Sequence, residues 1–248
     1  MKNSNTNPTI DKAISLLELL GDNPTGLKQN KIAELLDIPA TSCYRIIQSL
    51  QKVDWVHKDS TGNYGISGGI LRAARVALNS SNRFQSLEPF LVKLSRETLL
   101  TCKISTRIGN RQQIMLRAES PNSIYITGKL GATFPIIEGS VGAVLLSQTT
   151  RDEIVSLLKN CKENIAEKKN PEILYERIQT LHKKHYCLTK SDINRWKIGA
   201  ISTPIYDENN HVIAALTILG TDENFTVDSI SDIQPKLLKI AKLCTELL

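Results

Sequence analysis

The sequence predicts two bodies on one chain: a small helical module closed by a β-hairpin over residues 1–69, and a larger α+β domain over residues 83–248. Three observations carry this. Residues 27–66 run from a short amphipathic helix through a four-residue turn into a second helix, then into two short β-runs joined by a polar turn. Beyond residue 83, strand-like and helix-like runs follow one another in the manner of an α+β domain with a largely antiparallel sheet. Between them, Asn79-Ser80-Ser81-Asn82 breaks the apolar period.

In the first body, Ile10, Ala13, Ile14, Leu17 and Leu20 share one side of a helix over residues 9–21. Residues 21–26 are a loop by composition. Helices follow over residues 28–36 and 39–52, then strands over 55–58 and 64–66 around the turn 59–63. This is the order of a winged helix-turn-helix, which makes duplex DNA the leading candidate partner. Pro39 suits a first helical position, where its missing N–H is no loss. Cys43, Ile46, Ile47, Leu50 and Val53 recur at helical spacing and are expected to form the buried stripe of the second helix. Thr41, Arg45, Gln48 and Lys52 form a polar stripe on another face, with Ser42 and Tyr44 beside it. Arginine pairs with guanine edges, glutamine with adenine, and Thr or Ser with base edges or phosphates. Lys58 and Asn63 place a cation and an amide on the wing. The competing reading of the polar stripe is the solvated face of an ordinary helical hairpin; the turn and the hairpin that follow favour DNA.

Residues 70–82 read as a linker helix and boundary. In the second body, helices are expected over 84–100, 139–146, from 150 (where Thr150 and Glu153 form a capping-box pattern), from Asn170-Pro171 to about 184, and over 229–247. Strands are expected over 103–108, 113–118, 124–129, 186–189, 198–206 and 212–219, with 207–210 as the last hairpin turn.

At 248 residues the chain has room for two cores. A hydrophobic content of 41% and a charged content of 23% are ordinary for a globular protein. The net charge of +6 is not concentrated in the first body: residues 1–80 carry 9 Lys and Arg against 7 Asp and Glu. Charge alone therefore does not establish nucleic-acid binding, and a modest charge per module suits a protein that gains affinity by dimerising. The five cysteines are odd in number and form no CxxC, as expected for free thiols in a reducing compartment. No apolar run approaches a membrane span and the N-terminus does not read as a signal peptide, so a cytoplasmic location is expected.

A small-molecule site is expected at Gly139-Ser140-Val141-Gly142. Small residues at a strand-to-helix junction admit a ligand to the backbone, and N–H groups at a helix start favour a carboxylate or phosphate. The alternative is that Gly139 and Gly142 only permit a tight turn and close packing.

Five segments, in this order and spacing, resemble the IclR family of bacterial transcriptional regulators: Asp11-Lys12-Ala13-Ile14-Ser15-Leu16-Leu17-Glu18-Leu19-Leu20, Ile38-Pro39-Ala40-Thr41-Ser42-Cys43-Tyr44-Arg45, Gly62-Asn63-Tyr64-Gly65-Ile66, Thr203-Pro204-Ile205-Tyr206-Asp207 and Ala214-Ala215-Leu216-Thr217-Ile218. The resemblance covers nearly the whole chain. It implies a winged helix-turn-helix, a linker helix, a GAF-like domain that binds a small effector, and homodimers often paired as homotetramers. It also implies that Ile126 from the third strand, Ala200 from the fifth, and Thr217 and Leu219 from the last line one cavity with residues 139–141. Ala40 stands where the family often has a basic residue, which implies a lost phosphate contact or a changed base preference; Ala143, Lys190, Lys197, Ala200 and Leu219 depart from residues frequent in the family's effector domain, which implies a pocket chemically different from that of its glyoxylate-type members.

Other signals are weaker. His182, His185 and Cys187 have a spacing that could hold zinc, but no fourth ligand is near and a helix C-terminus accounts for the histidines. Cys102 or Cys187 with a histidine could form a hydrolase pair, yet no nucleophile turn supports it. No phosphate-binding glycine pattern is present. The expectation is a regulator and not an enzyme, with no cofactor and no metal. Thr41, Ser42, Tyr44, Arg45 and Gln48 would face the major groove, Lys58 and Asn63 would meet phosphate or the minor groove, and a small organic acid would be the effector. The competing classes are a small-molecule enzyme built on the C-terminal domain, and a protein-interaction module without operator specificity.

Overall fold

The computed structural model describes residues 7–74, 84–190 and 197–248. Its contacts divide the chain into two compact units, Met1–Asn79 and Ser80–Leu248.

The first unit contains α1 (Pro8–Gly21), α2 (Gln29–Leu35), α3 (Ala40–Lys52), β1 (Val56–Lys58) and β2 (Tyr64–Ile66). The Asn7 side chain caps α1 by accepting from the Thr9 N–H. Pro39 sits one residue earlier than expected, as the N-cap of α3. Its extended backbone still offers a carbonyl to the Cys43 N–H at 3.0 Å, so the helix loses nothing by the shift. Leu16 and Leu20 of α1 pack with Ile32 of α2, Cys43, Ile46 and Ile47 of α3, and Val56 and Tyr64 of the hairpin. Leu27 and Tyr64 exchange backbone hydrogen bonds at 2.9 and 2.8 Å, which ties the loop before α2 to the hairpin. Only glycine fits at residue 69, where a Cβ would lie 2.2 Å from the Asp54 carbonyl oxygen. Residues 70–74 are helical; the rest of the expected linker, 75–82, lies outside the described residues.

The second unit is a three-layer sandwich. Its elements are α4 (Glu88–Thr98), β3 (Thr101–Ile108), β4 (Arg111–Ala118), β5 (Thr133–Pro135), α5 (Gly139–Leu145), α6 (Arg151–Asn160), α7 (Ala166–Lys169), α8 (Glu172–Lys184), β6 (Cys187–Thr189), β7 (Gly199–Tyr206), β8 (Val212–Gly220), a 3-10 turn at Asp222–Phe225, and α9 (Val227–Glu246). The six strands form one sheet in the order β5-β4-β3-β8-β7-β6. Every neighbouring pair is antiparallel. One face packs Cys102, Ile104, Leu216 and Ile218 against Leu91 and Leu94 of α4 and Leu237 and Ile240 of α9. The opposite face is covered by α5, α6 and α8 through Val144, Ile154, Leu158, Leu174 and Leu181. Side chains alternate along a strand, so with Cys102 and Ile104 in the first layer, Lys103 and Ser105 of β3 point into the second.

Two expectations need correction. Residues 124–129 do not form a strand: Ile124 is 93% exposed, and the place beside β4 is taken by β5, with Gln112 opposite Phe134 and Gln113 opposite Thr133. A strand needs a ladder partner, and the alternation of residues 124–129 finds none. The expected helix over 84–100 breaks before Glu88, and α4 ends at Leu99, whose left-handed backbone (φ 57°) closes it. The four-residue α7 was not foreseen; Ala-Glu-Lys-Lys is too short and too polar to carry a helical period.

Candidate functional site

The first candidate surface is the outer side of α3 with the wing. Burial of Cys43, Ile46 and Ile47 fixes the rotation of the helix, whereas Val53, expected on the buried stripe, is 48% exposed as the C-cap. Thr41, Tyr44 and Arg45 are thereby exposed and Gln48 and Ser42 half-buried. Ser42, Arg45 and Ser49 border a groove with Thr9 and Lys12 of α1. The Gln48 amide donates to Gln51 Oε1 at 3.2 Å, and the Cys43 thiol donates inward to the Gln29 carbonyl. On the wing, Lys58 Nζ stands 5.4 Å from the centre of the Tyr64 ring. The wing tip is pinned by Asp59: its Oδ1 accepts from the Thr61 hydroxyl (2.7 Å) and from the Thr61 and Asn63 N–H groups. The Thr61 hydroxyl and the Asn63 N–H hold the Asp59 carboxyl below the usual carboxylate range. Asn63 is thus fixed through its backbone and its side chain remains half-exposed.

The second candidate is a cavity of about 570 Å³ in the second unit, between the sheet, the α5 start and the 127–134 segment. Gly139, Ser140, Val141, Ala200 and Leu219 line it. Two expected lining residues lie elsewhere. Ile126 borders a separate depression beside Tyr125 and Asn224, a consequence of its leaving the sheet. Thr217 is fully buried beneath the cavity, its hydroxyl 2.9 Å from that of Ser202, which in turn is 2.8 Å from Ser140 Oγ.

Of the backbone N–H groups expected to receive an anion, those of Gly139, Ser140 and Gly142 are already occupied. Gly139 N donates to Glu167 Oε1 at 2.9 Å, Ser140 N to the Thr189 hydroxyl at 2.6 Å, and Gly142 N to the Glu138 carbonyl. Glu167 is buried and is also paired with Arg177 of α8. The protein therefore places its own carboxylate at the α5 start. Gly142 serves close packing, since a Cβ there would lie 2.3 Å from the Ile136 carbonyl oxygen.

The buried positive charge of the cavity comes from a residue not expected there, while Lys129, also in the lining, is exposed. Lys103 of β3 is only 8% exposed and lines the cavity. Its ammonium stands 5.5 Å from the centre of the Phe134 ring. Burial pulls its pKa down to about 8, against the opposing pull of the Glu138 carboxylate. Gln112 Nε2 donates to the carbonyls of Pro135 and Glu138 and locks the wall beside it. Strict alternation on β3 could have found Lys103, opposite in phase to Cys102 and Ile104.

The other candidates do not assemble. His182 and His185 are exposed while Cys187 is buried, its thiol donating to the Ser140 carbonyl. Among the described residues no group of three or more metal-ligating side chains converges. Burial pushes the thiols of Cys102 and Cys187 up to about 12, which is far from the thiolate a nucleophile needs. Among the described residues no helix is long and apolar enough to cross a membrane.

Comparison with known proteins agrees with this layout. The IclR helix-turn-helix domain matches residues 9–60, and the bacterial transcriptional regulator IclR C-terminal domain matches residues 76–245. The chain is 23% identical to the HTH-type transcriptional regulator KipR of Bacillus subtilis (strain 168) over 236 residues, 94% of each protein. It is 21% identical to the HTH-type transcriptional repressor AllR of Escherichia coli (strain K12), over 88% of this chain and 82% of the relative. The crystal structure of the Thermotoga maritima IclR superposes with a TM-score of 0.74 at 20% identity, covering 96% of this chain and 97% of that one. With both domain patterns matched in order and spanning most of its length, the chain belongs to the IclR family of bacterial transcriptional regulators.

Proposed function

We propose that this protein is an operator-specific repressor in the cytoplasm whose affinity for DNA is set by a small organic acid bound in the second unit. The observation that supports it most directly is the α3 face, where Thr41, Tyr44 and Arg45 are exposed beside a wing carrying Lys58 and Asn63. Short polar side chains and a free-reaching guanidinium on one helix face are the chemistry of major-groove reading. Ser42 and Gln48 border that face, and we assign them to the same surface. A pseudo-palindromic operator follows if the protein works as a homodimer or homotetramer, with half-sites about one DNA turn apart. Effector binding would then act by changing how well two reading heads match that spacing, through the segment 70–82.

The 570 Å³ cavity supports the effector half of the reading, being of the size that small-molecule sites occupy. The competing enzyme reading loses its nucleophiles to burial, as Cys102 and Cys187 show. A footprinting titration of the full chain on DNA upstream of its own gene tests the proposal. Protection of one short palindromic region, with at least about a thousandfold preference over scrambled duplex, is expected. Equal affinity for both duplexes would leave a module without operator specificity.

A further inference from the structure

We infer that the effector is a monocarboxylate with an apolar body of roughly eight to fifteen non-hydrogen atoms, its carboxylate paired with Lys103 and not with the α5 start. This rests on the reading of the cavity as the effector site. The α5 start is a poor anion site here, because Glu167 and Thr189 already accept from its first two N–H groups and the Glu167 carboxylate would repel a second anion. Two lysines belong to the lining: Lys129 is exposed, whereas Lys103 is more than nine-tenths buried and makes no hydrogen bond to a described residue, only the contact with the Phe134 ring. An ammonium buried in a largely apolar wall is costly; the Glu138 charge offsets that cost only in part, since burial outweighs it, and a ligand carboxylate in direct contact relieves the rest.

The rest of the wall sets the body of the ligand. Ile114, Phe134, Val141, Ile198, Ala200 and Leu219 supply an apolar lining. The polar groups among them are largely turned to the protein: Gln112 Nε2 bonds two carbonyls, Ser140 Oγ bonds Ser202, and Thr189 Oγ1 accepts from Ser140 N. A sugar acid would strip its hydroxyls of water and find few partners. A dicarboxylate would bring its second charge into a wall that carries Glu138. A two-carbon acid would leave most of 570 Å³ unfilled.

The test is calorimetry on the full chain with octanoate, 3-phenylpropionate and indole-3-acetate as probes, each beside its primary amide, and with gluconate, adipate and glyoxylate. At least one apolar monoacid is expected to bind, at least about tenfold tighter than its own amide and than the three other acids. Lys103→Met is expected to remove that preference for acid over amide, and Ala200→Phe to remove binding by filling the cavity. The comparison of acid with amide on the wild-type chain reads the charge even if Lys103→Met fails to fold. Binding lost in Ala200→Phe but indifferent to Lys103→Met and to the amide exchange would overturn the inference and leave the cavity reading standing. Tighter binding of gluconate, adipate or glyoxylate would overturn the ligand class. Binding untouched by Ala200→Phe, or no binding by any probe, would overturn the inference together with the cavity reading.

Discussion

The α3 face and the cavity carry opposite kinds of chemistry. On α3, Thr41, Tyr44 and Arg45 are held in water by the burial of Cys43, Ile46 and Ile47 on the other side of the helix. Around the cavity the charged groups that build it are buried. Glu167 and Arg177 pair across α7 and α8, Glu167 also caps Gly139, and Lys103 stands in an apolar wall. A surface that meets a polyanion can spend exposed cations whose cost is small. A surface that selects a small acid must bury its cation and support it from several elements. Mutations in the two regions should therefore fail differently: the first by losing binding with the fold intact, the second by losing the fold or the selectivity.

The largest effect is expected at the support of the cavity. Glu167→Ala leaves the Arg177 guanidinium buried without its carboxylate and uncaps Gly139, and should cost about 3–5 kcal/mol. One Arg177 nitrogen, Nη2, already has no hydrogen-bond partner among the described residues, which leaves the guanidinium little to fall back on. Thermal denaturation of the full chain checks this; a loss under about 1 kcal/mol would break the contrast by showing that the pair is dispensable.

Arg45→Ala should reduce operator affinity by about 1–3 kcal/mol per half-site, through loss of a bidentate base contact, while the melting temperature stays unchanged. A gel-shift titration beside a melting curve reads both. Unchanged affinity would move the reading surface off this face of α3.

Smaller and more diagnostic is the pH dependence. Acid binding needs protonated Lys103, with Glu138 the other buried charged group of the wall and Lys129 an exposed one, so affinity should fall as pH rises through about 8. For the unliganded protein the sign reverses. The folded pKa lies below the ordinary 10.5, so between these values the unfolded chain binds more protons, and this group adds stability as pH rises from about 8 to 10.5. Calorimetry with a bound acid between pH 6.5 and 9 checks the first part. A flat profile would mean that Lys103 does not touch the ligand.

The smallest effect is expected on the wing. Lys58→Ala should weaken binding about equally for specific and random duplex and lower the salt slope by about one. A change in base preference instead would make Lys58 a reader.

The two regions were also unequally legible in the sequence. The α3 face is a local property: Cys43, Ile46 and Ile47 set the rotation, and Thr41, Arg45 and Gln48 follow from a period of 3.6. How far Ser42 and Gln48 are covered is decided by packing: both are half-buried. The sheet of the second unit was legible in five of its strands. It failed at residues 124–129, whose alternation has no ladder partner, and β5 was too short to announce itself. Of the cavity, residues 139–141 were legible from their small size at a junction, and Ala200 and Leu219 through the family resemblance; all five line it. Ile126 and Thr217 do not, because one left the sheet and the other turned its hydroxyl to Ser202. Lys103 and Glu167 were passed over for a common reason. A buried charge is recognised by what surrounds it in space, and their surroundings come from β5, α5, α8 and the loop after β4.

The account stands or falls on coupling between the two regions, and fluorescence anisotropy of the footprinted operator, titrated with the full chain with and without the best-bound monoacid, measures it. A shift in operator affinity of about five- to 150-fold is expected on adding the acid to the wild-type chain, none in Lys103→Met, and in Arg45→Ala an operator complex weakened by about 1–3 kcal/mol per half-site. An acid that binds the wild-type chain yet leaves operator affinity unchanged, or operator affinity undiminished in Arg45→Ala, would contradict it.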